Sequence, residues 1–476
     1  MATKSQTRSS STKELVATAA DPLTPDVFRR KLVILKNVCV ISGAFLLLFT
    51  AFQSLQNLQS SVNRDEGLGL ASLSIIYGSL VVSCTLLPTT VVARLGCKWT
   101  IVIAMLVYSV YMLANLHAAW YTLVPASIAL GTAAAPLWTA KCKYLTETGG
   151  EYARLEGTST EAVVNRFFGI FFLMFQSGQI WGNLISSSVF QTSAPNETVP
   201  ADIVEAYCGA AYCAANSASA NITNVNLAPP PRSRVMLLMG IYFACAVAAA
   251  ALVAAIVDQL RSDEQRDVLA MPTLRELLAT ARHLSRPDQL LLIPLTFYSG
   301  VEQAFIAADF TLAYVTCSVG VHMVGYSMIT FGVADAAFSF IGGRLVQYVG
   351  RAPIFCVGFV AHLATIVVLL MWKPHADGIV TFLAIAAGWG VGDAVWQTQI
   401  NAFYGVTFPD STAAAFSNYR LWESLGFLMT FAYGNFLCVS VKLYVVLAFL
   451  LTGMAGYGAV EIRHRCVRQR NQYNVS

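Results

Sequence analysis

Charged side chains are scarce in this chain: Asp, Glu, Lys and Arg make up only 12% of its 476 residues, while 56% are apolar. Water-soluble surfaces carry about twice that charged share, so a soluble globular protein is excluded and lipid must be the solvent for much of the chain. The missing motifs exclude as much again. There is no GxxxxGK[ST], HExxH or GxSxG pattern and no dinucleotide-binding glycine run, so nothing points to an enzyme or to a cofactor. No CxxC or Cys/His spacing suits zinc, and no metal is expected. A formal charge of +4 is too small to suggest nucleic acid as a partner. The Ser-, Thr-, Lys- and Arg-rich start holds no apolar block of a cleavable signal peptide.

Long apolar runs are what the sequence does have. A helix needs about 20 apolar residues to cross a roughly 30 Å hydrocarbon layer. Twelve such runs occur, near 38–58, 70–92, 99–116, 121–140, 167–190, 235–257, 290–316, 322–341, 352–372, 379–402, 415–438 and 441–462. They predict an all-α, multi-pass protein embedded in membrane lipids. Basic residues orient it, because cytoplasmic loops collect Lys and Arg. Arg29, Arg30, Arg94, Lys98, Lys141, Lys143 and Arg154, the central-loop arginines, Arg344, Arg351 and the tail arginines share one side. Arg64, Arg232, Arg234, Lys373 and Lys442 fall on the other. Both termini are therefore expected in the cytoplasm.

The long loop after the fifth run agrees with that orientation. It carries Asn196-Glu-Thr and Asn221-Ile-Thr, acceptors for a glycosylation that happens on the lumenal or outer side. Asn474-Val-Ser also fits the pattern but would face the cytoplasm. Cys208 and Cys213 sit in the same loop, in oxidising surroundings, and are read as a loop disulfide. The alternative is that one or both pair with Cys317 or Cys438, placed at outer helix ends.

A repeat organises the runs. Gly96 and Gly350, and likewise Arg166 and Arg420, are 254 residues apart. Similar offsets relate Trp138 to Trp396 and Gly182-Asn183 to Gly434-Asn435. Parallel six-helix halves are the plan of major facilitator folds. The expected parts are a disordered cytoplasmic tail, 1–32, and a first half, 33–258, with an outer loop at 191–233. A cytoplasmic linker, 259–288, a second half, 289–462, and a basic tail, 463–476, complete the chain. In the linker, Thr273-Leu-Arg-Glu276 has the form of a capping box, and Leu274, Leu277, Leu278, Ala281 and Leu284 follow at helical spacing, predicting an amphipathic helix.

The same landmarks carry a family resemblance. Glu66-Gly-Leu-Gly, Arg94-Leu-Gly-Cys-Lys98, Ala135-Pro-Leu-Trp138, Trp181-Gly-Asn-Leu-Ile-Ser-Ser187, Val391-Gly-Asp-Ala-Val-Trp-Gln-Thr-Gln399 and Asn418-Tyr-Arg-Leu-Trp-Glu423 resemble the uncoordinated-93 family, nearest its homolog A branch, over about 33–462. The resemblance implies a major facilitator fold, residence in the plasma membrane or endomembranes, and regulation of a two-pore potassium channel. Two transporter features are absent: Ala93, not an acid, precedes Arg94, and the fourth run holds no arginine.

Ionisable groups at a helix centre cost about 2.5 to 3.5 kcal/mol on insertion scales, so each one marks a partner or a cavity. Glu302, Asp309, Asp335 and Asp393 are the deep acids, with no deep Lys or Arg in view. Glu302 and Asp309, seven residues apart, should share one helical face. With His362 and Trp396 they are candidates to line a cavity for a cation or proton, or to be bonded across helices to Gln303, Ser339 or Gln397. Arg166, Arg420, Glu423, Gln176 and Asn183 are candidates to clamp the halves together. The phenylalanines 167, 168, 171 and 172 read as packing. Two functions follow: an accessory subunit regulating a potassium channel or other membrane client, or a secondary transporter of a small cationic or organic solute, proton-linked or not.

Overall fold

The computed structural model describes residues 25–158, 160–191, 199–213, 224–260, 282–375, 378–408 and 412–473, and these contain helices but no strand. We number the long helices α1 (Pro25–Val62), α2 (Leu68–Leu86), α3 (Pro88–Ala114), α4 (Trp120–Glu156), α5 (Thr160–Gln191) and α6 (Arg232–Ile256). The second set is α7 (Pro287–Val319), α8 (His322–Val349), α9 (Arg351–Met371), α10 (Ile379–Val395, continuing to Thr407), α11 (Thr412–Tyr433) and α12 (Val439–Tyr473). Among the described residues, nine helices are long and apolar enough to cross a membrane, and Leu68–Cys84 is a shorter apolar one.

Helices prevail because lipid offers the backbone no hydrogen-bond partner, so each segment must satisfy its own. Pro136 inside α4 tests this rule. It has no N–H, so the Thr132 carbonyl one turn earlier loses its intrahelical donor. Ser83 Oγ of α2 donates to that carbonyl at 2.7 Å instead. Small residues let helices approach closely: Gly131 faces the Ile76 backbone, Gly182 faces Thr50 and Gly300 faces Glu423.

Helix pairing reveals the repeat directly. In the first set α1 packs on α5 and α6, α2 on α4, and α3 on α4 and α6. In the second set α7 packs on α11 and α12, α8 on α10, and α9 on α10 and α12, so every pairing recurs six helices later. The sets meet where α5 packs on α8, α2 on α11 and α1 on α7, which is the contact pattern a twofold axis between them requires. The backbone agrees. Gly96 (φ 71°, ψ 167°) breaks α3, and Gly350 (φ 79°, ψ 173°) separates α8 from α9. Both adopt a conformation open to glycine and costly for any L side chain.

Several expected boundaries move. The reversal between the second and third spans falls at Gly96, in the expected loop, but Pro88 opens a new helical stretch inside the expected second span. α1 begins at Pro25, inside the expected tail, and α12 runs to Tyr473. Ion pairs carry α12 outward: Glu461 meets Arg351 at 3.1 Å and Arg465 at 3.5 Å, and Arg463 meets Asp288 at 3.1 Å. Asn196, Asn221 and linker residues 261–281 lie outside the described residues.

Candidate functional site

The deep acids sit at the centre of the second set, where two helices leave α-geometry. α7 widens to a π-helix over Phe305–Thr316, and α10 does so over Trp396–Ile400. Such i→i+5 turns often mark functional positions. They also overturn the expectation that Glu302 and Asp309 share a face, because the wider turns of α7 begin between them. Glu302 accepts a 2.8 Å bond from Trp389 Nε1 of α10. Asp309 instead meets Lys442 Nζ of α12 at 2.5 Å.

Lys442 is the second correction. Assigned to an outer loop by charge, it is 2% exposed in the structure, donates to Gly434 O at 2.6 Å as well, and neutralises Asp309. Lys141 is likewise buried, 1% exposed. Its ammonium lies 4.2 Å from the Phe171 ring centroid, 4.9 Å from Trp138, and 5.1 Å from both Phe168 and Phe172. The phenylalanine pairs therefore pack and also take a cation, in the cation–π geometry. Its sequence signal was available: Lys141 follows Trp138 by three residues, on one helical face.

From Asp393 a chain of polar side chains crosses three helices. Gln397 Nε2 of α10 bonds Asp393 Oδ1 at 3.3 Å and Ser299 Oγ of α7 at 3.5 Å. Ser299 Oγ donates to Glu423 Oε1 of α11 at 3.4 Å, Tyr419 donates to the same oxygen at 3.0 Å, and Arg420 bonds Glu423 Oε2 at 2.6 Å. Asp335 accepts from Ser339 Oγ at 3.3 Å and, across the two sets, from Gln176 Nε2 at 2.9 Å. His362 accepts at Nδ1 from Trp396 Nε1 (3.0 Å) and donates from Nε2 to Trp389 O (2.9 Å), which fixes its tautomer. Tyr298 OH stands 2.5 Å from the same Nδ1. His362 and Trp396 thus form a closed, buried cluster, and both are 0% exposed.

Only part of the expected clamp joins the two sets. Gln176 does, through Asp335. Arg166 pairs with Glu156 of its own set at 3.5 Å, because the turn between α4 and α5 brings them together. Arg420 is satisfied by Glu423 one turn along its own helix. Asn183 accepts from Asn57 of α1 at 3.3 Å. Three hydroxyls and one amide also cross between the sets. Ser60 donates to Ala308 O (2.9 Å), Ser61 meets Thr316 (2.8 Å), Ser187 donates to His322 O (2.8 Å) and Asn435 donates to Gly67 O (3.1 Å). All four lie at the end of the bundle that carries the loop after α5, hereafter the loop end. At the opposite, terminal end, Arg30 pairs with Glu151, Lys36 with Asp258 and Arg351 with Glu461, each within one set.

Of the two cysteine readings, the loop disulfide is corrected and the alternative, pairing with Cys317 and Cys438, holds. Cys208 does not pair with Cys213; Cys208 bonds Cys317 and Cys213 bonds Cys438, with Cα–Cα distances of 5.6 and 4.3 Å. The intervening turn Gly209–Ala211 sends the two thiols to different helix ends, one to α7 and one to α12.

Paired six-helix sets around buried acids define a multi-pass membrane protein of the major facilitator fold. The nucleoside transporter NupG shares this fold, with a TM-score of 0.61 at 12% identity over 90% of this chain and 99% of that one. The family described as ion channel regulatory protein UNC-93 matches residues 60–456, and the chain belongs to that family. It is 47% identical to protein unc-93 homolog A of Xenopus laevis, over 90% of this chain and 93% of that protein. Against unc-93 homolog A of Homo sapiens the figures are 44%, 92% and 94%. Caenorhabditis elegans unc-93, named for potassium channel regulation, is 38% identical over 90% of this chain and 61% of its own length.

Proposed function

We propose that this protein is an accessory subunit that binds and regulates a membrane client, most simply a potassium channel, and that it does so from the plasma membrane with both termini in the cytoplasm. Membership of a family described by ion channel regulation carries the reading. The geometry supports it. Asp309 is neutralised by Lys442, and Glu302, Asp335 and Asp393 each bond to neighbouring side chains, as a fixed scaffold requires. The sequons and the loop cysteines favour an outer location for the loop end. The alternative, cation transport through Glu302, Asp309 and Asp393, is weakened by the internal pairing of Asp309.

Co-expression with a panel of two-pore potassium channels tests the proposal. Current density or surface level of at least one channel should change. Unaltered currents and surface levels across the panel, with the protein present at the membrane, would reject it.

A further inference from the structure

Lys141 is a buried cation with no counter-charge. It is 1% exposed, and among the described residues no carboxylate pairs with it. Its ammonium is surrounded instead by the rings of Phe171, Trp138, Phe168 and Phe172, with centroids 4.2 to 5.1 Å away. Ring faces attract a positive charge but accept no conventional hydrogen bond, so the N–H donors of the ammonium stay open to an oxygen. A methionine would fill the same space without the cost of a desolvated charge. Packing alone therefore does not call for a lysine.

The aromatic box has a mouth. Phe172 is 41% exposed, although it lies one turn before Gln176 on the face of α5 that reaches Asp335 of α8. On the opposite wall the Arg420 side chain is 51% exposed, although it lies two turns before Phe427, whose ring stacks on Tyr77 of α2 at 4.3 Å. Faces turned toward the other set stay accessible at this level, so the two sets stand apart on the terminal side of the Gln176 bond. Arg420 Nη1 is taken by Glu423 Oε2, while Nε and Nη2 have no hydrogen-bond partner among the described residues. Glu423 balances the charge of Arg420, and Lys141 leaves an uncompensated positive charge beside the gap.

We propose that Lys141 and its aromatic box form a binding site for a small amphipathic anion, a carboxylate or phosphate head on an apolar body, that enters between the two sets from the terminal end. The head takes the open donors of Lys141, and the body lies on Phe168 and Phe172. Arg420 offers further donors from the opposite wall. An organic cation does not suit the box, which already holds its own ammonium and would repel a second. The inference goes beyond the client reading and does not rest on it. Two sources share the ligand chemistry, a soluble organic acid and an anionic phospholipid, and the test separates them.

The full chain is placed in nanodiscs of phosphatidylcholine, and phenylacetate, phenylacetamide and phenethylammonium are each titrated in by calorimetry. Phenylacetate should bind saturably, and the neutral amide and the cation should not. Lys141→Met should weaken phenylacetate at least about tenfold. Lys143→Met, next along the helix but paired with Glu147, should leave it unchanged. Because Lys141→Met removes an uncompensated charge, it should melt no lower than the parent; a lower melting point would make Lys141 a structural cation and overturn the site. In nanodiscs that also contain phosphatidylserine, loss of phenylacetate binding, with that lipid retained by the parent but not by Lys141→Met, assigns the site to a lipid head. Unchanged phenylacetate binding there assigns it to a soluble acid. Tighter binding of phenethylammonium than of phenylacetate to the parent, or equal phenylacetate affinity in the parent and Lys141→Met, would overturn the proposal. So would a parent that neither binds phenylacetate nor retains phosphatidylserine.

Discussion

Lys442 Nζ lies 2.5 Å from Asp309 Oδ1, with the two side chains 2% and 5% exposed, and this pair ties the first residues of α12 to the π segment of α7. Each charge is tolerable there only because of the other. Lys442→Met is therefore expected to destabilise the protein by about 3–5 kcal/mol, the cost of leaving a buried charge unpaired. Lys442→Met with Asp309→Leu should recover most of that loss, since an apolar pair has no charge to strand. Thermal unfolding in detergent, followed by size-exclusion chromatography, reads both. Equal melting of the single and double variants would remove the pair from the stability of the fold.

The two reversal glycines predict effects of one sign and a helical glycine predicts the other. Gly96→Ala and Gly350→Ala force an L side chain to φ 71° and 79°, and each should cost about 1–3 kcal/mol. Gly43, inside α1, has nothing within 4 Å of an added Cβ. Gly43→Ala should raise stability by about 0.5–1 kcal/mol through lower backbone entropy in the unfolded chain. The same melting assay distinguishes them, and a rise for Gly350→Ala would contradict the backbone described for that turn.

At the meeting of the two sets, Gln176 Nε2 needs an acceptor 2.9 Å away rather than a charge. Asp335→Asn keeps a carbonyl oxygen for that bond and should melt close to the parent. Asp335→Leu removes the acceptor and should cost about 1 kcal/mol, the loss of one hydrogen bond to a half-buried amide. A charge-dependent role would instead make Asn as damaging as Leu.

Glycan occupancy reports the orientation. Asn196→Gln and Asn221→Gln should each remove one glycosidase-sensitive step in gel mobility, while Asn474→Gln should leave mobility unchanged. A shift from Asn474→Gln would place the tail on the outer side and invert the proposed topology.

Much of the fold was legible in the sequence because lipid permits few solutions. Apolar runs of membrane-crossing length, separated by basic loops, leave helices as the only way to satisfy the backbone, and the equal spacing of Gly96 and Gly350 exposed the duplication. The candidate site was legible only as a set of residue types. Its acids were found from their cost in an apolar run, but not their partners.

Those partners were decided by tertiary structure. Lys442 reads as an outer-loop cation until α12 packs against α7 and carries it to Asp309. Glu302 and Asp309 read as one face until the π-helix turns them apart, and register of that kind comes from packing, not from residue spacing. Cys208 and Cys213 are neighbours in sequence, yet each is bonded to a helix end more than a hundred residues away, at separations of 109 and 225. Hydrophobicity is a local property and could be read one segment at a time; pairing depends on which segments meet, and only the folded bundle brings them together.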